Sequence, residues 1–247
     1  MIDGINPSSL YISEAEFEEY AVTLNDISSS EQVIDQLIER RNNIINGGVN
    51  CIPLPFERFR PEVPGIEQGQ YVLITANQKC GKTQLANYIY LFHALDYAFE
   101  HPDRCSVHII YFALEESVQK IIERYLSHLL YKLDGIRLAP ADLRSTSFDY
   151  PVPEEALKKL QSEPYKERLR FFEKCVQFET EDTNPTGILR VCEKYAKSVG
   201  VYKSHKIDSK GNSFKEVDVF DSYTQNDPNH YKIVVIDHIG LNTRRAS

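Results

Sequence analysis

The chain has 247 residues, 42% of them hydrophobic, and a formal net charge of −8. That length suits one sizeable domain with an arm, and that apolar content is ordinary for a globular protein. No apolar run approaches the roughly 18 residues a membrane-spanning helix needs, and MIDGINPSSL lacks the basic region and apolar core of a signal peptide.

The charge is uneven. Residues 1–39 hold nine acids and no Lys or Arg, leaving 28 basic against 27 acidic residues in the rest. A near-neutral body neither argues for nucleic-acid binding nor excludes it, since a local basic strip is enough. Cys51, Cys80, Cys105, Cys175 and Cys192 are scattered, without a CxxC pair or a zinc spacing. They read as reduced thiols in a cytoplasm.

In chain order, Ser13-x-x-Glu16 is a capping box, with Phe17, Tyr20, Ala21 and Leu24 on one helical face. A second helix is predicted from Ser30, with Val33, Ile34, Leu37, Ile38, Ile44 and Ile45 at helical spacing and Gly47–Gly48 ending it. Residues 1–48 thus read as an acidic helical arm or linker whose apolar faces need something to lie on. Residues 49–247 read as an α/β core. Its lead-in, 51–70, is rich in Pro and Phe; the aromatics of LPFERFR are read as packing that lead-in.

The predicted core alternates strands and helices. Tyr71–Thr75 (YVLIT) is a strand, followed by a loop at 76–81 and a helix from Lys82 to about Phe99. His108–Leu114 is the next strand, then a helix from about Ser117 to Leu133. Residues 135–170 are helical connectors. A strand follows near Cys175–Phe178, and Pro185 opens a helix to about Ser198. Residues 200–231 read as an inserted hairpin turning at DSKGN. Ile233–Asp237 (IVVID) is a buried strand ending in a carboxylate.

The loop sequence ANQKCGKT, residues 76–83, has the form of a phosphate-binding loop between a strand and a helix. Backbone amides from Ala76, Asn77, Gln78, Lys79, Cys80 and Gly81 would cradle phosphates. Gly81 allows close backbone approach, and Lys82 supplies a charge for the β- and γ-phosphates. The Thr83 hydroxyl can ligate Mg²⁺. Ala76 stands where a first glycine is usual, and is tolerated if φ there stays negative.

Asp237, closing an apolar strand, fits a second Mg²⁺ ligand. Glu115, after the second strand, can polarise a water; Glu116 is its neighbour and competitor. His93, His108 and His238 show no partner pattern and read as core or edge residues.

Taken together, ANQKCGKT, FALEES at 112–117, RYLSHLLYKLDGIRLAPADLRS at 124–145, VVIDHIGL at 234–241 and the lead-in GIEQGQYVLIT resemble DnaB-type (superfamily 4) replicative helicase motor domains in a divergent tailed-phage form. The resemblance runs from about residue 30 to the end. It implies a RecA-like P-loop fold, ATP and Mg²⁺, single-stranded DNA as partner, a homo-oligomer that is hexameric when complete, and no membrane. It places Glu115 as catalytic glutamate, with Lys82, and Asp237 as the Walker B aspartate.

Two features depart from the family pattern: an acidic arm in place of a globular primase-binding domain, and the 200–231 hairpin. The family's sensor strand, DNA-binding loops and arginine finger are expected beyond Ser247 or from a complementing chain. Arg244 and Arg245 read as solvated tail. The same motifs also suit a RecA-like ATPase that is not a helicase, or a nucleotide-binding piece that needs a partner.

Overall fold

The computed structural model describes residues 30–146, 151–181, 184–207 and 217–237. The arm helix read at 13–24, the hairpin turn, His238, Arg244 and Arg245 lie outside these residues. The chain divides into two compact units, Met1–Gly48 and Val49–Ser247.

In the first unit, α1 spans Ser30–Ile45. It ends as the glycines suggest, with Gly47 at φ 86° and its amide on the Ile44 carbonyl. The residues of its apolar stripe, Val33, Ile34, Leu37, Ile38, Ile44 and Ile45, are all exposed.

The second unit opens with a clasp. Here β1 (Ile52–Pro53) pairs antiparallel with β2 (Gly65–Ile66). A Cβ on Gly65 would lie 2.1 Å from the Ile52 carbonyl oxygen, so only glycine fits there. Phe56 packs on Tyr88 with ring centroids 5.7 Å apart, and Arg60 Nε donates to Leu54 O at 2.8 Å. Phe56 therefore packs the lead-in, as read, while Phe59 is exposed.

A continuous helix follows the phosphate-loop sequence. It comprises α2 (Lys82–Ala86), a π-helical stretch Asn87–His93, and α3 (Ala94–Glu100). Next come β3 (Ser106–Ala113), α4 (Val118–Asp134), α5 (Glu154–Leu160), α6 (Glu163–Cys175), β4 (Val176–Glu179) and α7 (Pro185–Val199). Then β5 (Gly200–Ile207) and β6 (Val217–Gln225) form a separate antiparallel hairpin with an irregularity at Lys203/Ser204, and β7 is His230–Asp237. Local chemistry sets several ends. Asn184 caps α7 by accepting from the Gly187 amide at 2.8 Å. Gly135, at φ 70°, stops α4 with its amide on Tyr131 O and the Ile136 amide on Leu130 O.

The core sheet is parallel, in the order β4-β3-β7, and is flanked by helices. The central strand is buried from Ile109 through Phe112 without alternation, as expected of a strand covered on both faces. Leu91, Leu95, Ile121, Leu129 and Phe172 belong to the same core. Each large side chain buried there contributes about 1.5–3 kcal/mol.

One predicted element differs. Tyr71–Thr75 forms no ladder, and Tyr71 and Leu73 are 82% and 62% exposed. An apolar run becomes a strand only when a neighbour takes its backbone hydrogen bonds. Among the described residues none does, and the outer edge of β7 is likewise unpaired. The run still starts close to β7, because Gln68 Nε2 donates to Pro228 O at 2.7 Å and His230 O at 3.2 Å.

A charge cluster lies inside the helical layer. Asp96, 3% exposed, accepts from Arg168 Nη1 at 2.9 Å and is bridged by His128 Nε2 at 2.7 Å and Lys132 Nζ at 2.9 Å. Arg168 also reaches Glu100 and covers the Phe99 ring. Burial pushes the Asp96 carboxyl up, but the hydrogen bonds and charges of His128 and Lys132 outweigh it and hold it below the usual range.

Hydrogen exchange should find the amides of 72–75 among the fastest in the second unit and those of 107–112 among the slowest; equal protection would contradict the unpaired run. Asp96→Asn should lower stability at pH 7 by about 3 kcal/mol, because it strips a buried Arg168 of its nearer counter-charge and leaves only Glu100 at 3.3 Å. The folded Asp96 value is depressed. Its contribution is therefore present above the ordinary carboxylate value of 3.8 and lost as pH falls through the lower folded value. Thermal melts of the wild type and Asp96→Asn from pH 7 down to pH 3 should converge accordingly.

Candidate functional site

The site begins with the loop. Residues 76–80 are exposed, and Gly81–Thr83 are partly buried where the helix starts. Gly81 sits at φ 86°, ψ 18°, in left-handed backbone that a Cβ would strain even though it would meet nothing nearer than Gln84 Oε1 at 4.0 Å. Lys79 also has positive φ, 61°, and Ala76 does not. The alanine therefore occupies the first glycine position without strain. The strain falls on Lys79, at a cost of roughly 1–2 kcal/mol. Core burial behind the loop exceeds that several-fold.

Lys82 closes the loop on itself. Its Nζ donates to the carbonyls of Ala76 at 2.8 Å and Asn77 at 3.3 Å. The Cys80 amide reaches Asn77 O at 3.4 Å, and the Leu85 amide takes the Gly81 carbonyl at 2.9 Å. Cys80 is the one exposed thiol of five free cysteines; Cys105 and Cys175 are buried.

The other half of the site comes from the sheet. In the β3–β7 ladder Ala113 pairs with Asp237, and the Leu114 amide donates to the Asp237 carbonyl at 3.2 Å. The carboxyl ends of the two strands are thus level, the usual place for a ligand in an open parallel sheet. Thr83 Oγ1, 154 residues away in sequence, donates to Asp237 Oδ1 at 3.1 Å. The structure brings together the two residues read from sequence as cation ligands.

The two adjacent glutamates differ. Glu116 is held in a bidentate ion pair with Arg124, with Nη2–Oε1 at 2.6 Å. Glu115, two residues past Ala113, is exposed. Glu116 therefore helps seat α4, and Glu115 stands at the mouth of the strand ends.

Sequence reading missed Asn87 and Tyr111. Both are buried, and Tyr111 Oη donates to Asn87 Oδ1 at 2.8 Å while lying 3.5 Å from Asp237 Oδ2. Burial, reinforced by the Asp237 charge, pushes the Tyr111 hydroxyl well above the usual tyrosine range, so it stays protonated. The only sequence signal for either was a polar atom in an apolar run.

His93 and His108 take structural places, as read. His93 Nε2 meets Pro53 O at 2.6 Å, and His108 stacks on Tyr195 with ring centroids 4.1 Å apart. His230, not singled out from sequence, bridges Ser106 and Tyr195 at the opposite end of the strands.

No cluster of three or more His, Cys, Asp or Glu side chains able to hold a metal occurs among the described residues. A threonine hydroxyl and one carboxylate suit Mg²⁺ instead, which keeps waters and takes phosphate oxygens for its remaining ligands. Thiol titration should show Cys80 reacting first and Cys105 last, since burial pushes the Cys105 thiol up to about 12. No protein-family model, curated protein or solved structure matches this chain.

Proposed function

We propose that this chain is the nucleotide-binding core of a RecA-like P-loop ATPase, the motor of a DnaB-type replicative DNA helicase. The observation that carries the reading is the 3.1 Å hydrogen bond from Thr83 Oγ1 to Asp237 Oδ1. It joins the loop to the strand end, as a shared cation site requires. The three-stranded parallel sheet and the helix that begins at Lys82 are compatible with it.

In this reading the backbone amides of 77–81 and Lys82 bind the ATP phosphates. Lys82 exchanges the Ala76 and Asn77 carbonyls for phosphate oxygens as it does so. Thr83 and Asp237 hold Mg²⁺, which neutralises charge on the phosphates. Glu115 orients the attacking water and accepts its proton. An arginine from an adjacent subunit completes charge stabilisation, an effect worth ~10³–10⁵ in rate where such a residue acts in trans. Hexamer, single-stranded DNA and a bacterial cytoplasm follow from the sequence resemblance alone.

A second reading draws on the unpaired run at 71–75 and the open edge of β7. Here the chain binds nucleotide and turns it over only once a further strand is supplied, by more of the polypeptide or by a complementing chain. A RecA-like ATPase that is not a helicase fits the same site. DNA-stimulated turnover and strand displacement by the assembled protein separate these readings.

Lys82→Ala should abolish nucleotide binding, and Glu115→Gln should keep binding while losing turnover; tight binding by Lys82→Ala would sink the assignment. Mg–ATP should also slow modification of Cys80 in the wild type and leave it unchanged in Lys82→Ala. That readout needs no turnover.

A further inference from the structure

We propose that Asn87 and Tyr111 form a positioning relay that fixes the Asp237 carboxylate for a nucleotide-bound divalent cation. The inference rests on the P-loop reading above and adds two residues to it.

In the parallel register Tyr111 pairs with Val235 and Ala113 with Asp237, so Tyr111 and Asp237 are diagonal neighbours on one face of the sheet. Asn87 approaches that face from the helix that starts at the phosphate loop, at the first residue of its π-helical stretch. Such widened turns recur at functional sites, because they swing one side chain out of the regular helical register.

The hydrogen bonding of Asn87 is incomplete. Tyr111 has one hydroxyl proton and gives it to Asn87 Oδ1 at 2.8 Å. With that proton given to Asn87, none is left for Asp237 Oδ2, 3.5 Å away. Asn87 Nδ2, on a residue 1% exposed, has no partner among the described residues. Buried donors left unpaired are the costlier orphans, and an underused carbonyl is better tolerated.

A half-turn of the Asn87 amide resolves this. Nδ2 then donates to the Tyr111 oxygen, and the Tyr111 proton is released toward Asp237 Oδ2. Asp237 Oδ1 already accepts from Thr83. Thr83 then donates to Oδ1 and Tyr111 turns its proton to Oδ2, 3.5 Å away, and together they favour one orientation of the carboxylate. The cost of ordering it is then not charged to cation binding. The Tyr111 hydroxyl touches no nucleotide in this arrangement; it acts through Asp237.

The test is equilibrium binding of a fluorescent ATP analogue to the full chain, once with Mg²⁺ and once with EDTA. Tyr111→Phe removes only the hydroxyl. The double variant Asn87→Leu with Tyr111→Phe replaces both partners by apolar groups, which limits any loss of stability. Both variants should bind about tenfold more weakly with Mg²⁺, the scale of one lost charge-assisted hydrogen bond, and as the wild type does in EDTA. Wild-type affinity in Mg²⁺ would overturn the relay. So would an equal loss in both buffers, because the hydroxyl would then support the loop and not the carboxylate. Lys82→Ala distinguishes the two failures. If it loses binding while Tyr111→Phe does not, the relay alone is wrong. If wild type and Lys82→Ala are alike in failing to bind, the P-loop reading falls and the relay with it.

Discussion

The eight-residue parallel ladder between β3 and β7 is the constraint on which the rest depends. It pairs Ser106 with His230 at one end and Ala113 with Asp237 at the other. A slip of one residue would turn Asp237 to the other face, away from Thr83 and Tyr111. The register is held by burial. Ile109, Tyr111 and Phe112 on β3, and Tyr231, Ile233 and Val235 on β7, all lie in the interior. Polar groups at the strand starts add specificity, because Ser106 and Tyr195 take both ring nitrogens of His230.

A helix that must enter a ligand site at one end and pack on a sheet along its length faces a conflict of register. Here the π-helical stretch Asn87–His93 resolves it. It leaves Lys82 and Thr83 at the loop, carries Asn87 to Tyr111, and still delivers Leu91, Leu95 and Ala98 to the core. Asp96 then finds its cations on α4 and α6, so the same helix is anchored by charge at its far end. A buried pair of this kind adds less net stability than its Coulomb attraction suggests, because desolvation opposes it. Its geometric effect is to fix how α3, α4 and α6 sit together.

Strain and openness gather at the loop. Lys79 and Gly81 hold positive φ, residues 76–80 are exposed, and among the described residues the apolar run before them joins no ladder. The β4-β3-β7 sheet beside them is tied by ladder bonds and core packing. A region with few buried contacts beside a rigid sheet can rearrange its backbone without disturbing the strands that carry Asp237 and Glu115.

The sequence by itself determined most element positions, since periodicity and capping are local. The helix from Ser30, the Asn184 cap, the Gly135 stop and the unbroken apolar β3 all follow from near neighbours in the chain. It also marked Thr83 and Asp237 by residue type and place. Only the tertiary structure decided that these two meet, since 154 residues of connection separate them. It likewise assigned Glu116 to Arg124, placed the strain at Lys79 and not Ala76, and exposed the Asn87–Tyr111 pair. It left Tyr71–Thr75 without a ladder, because strand formation depends on a partner and apolar patterning carries no information on whether one is there.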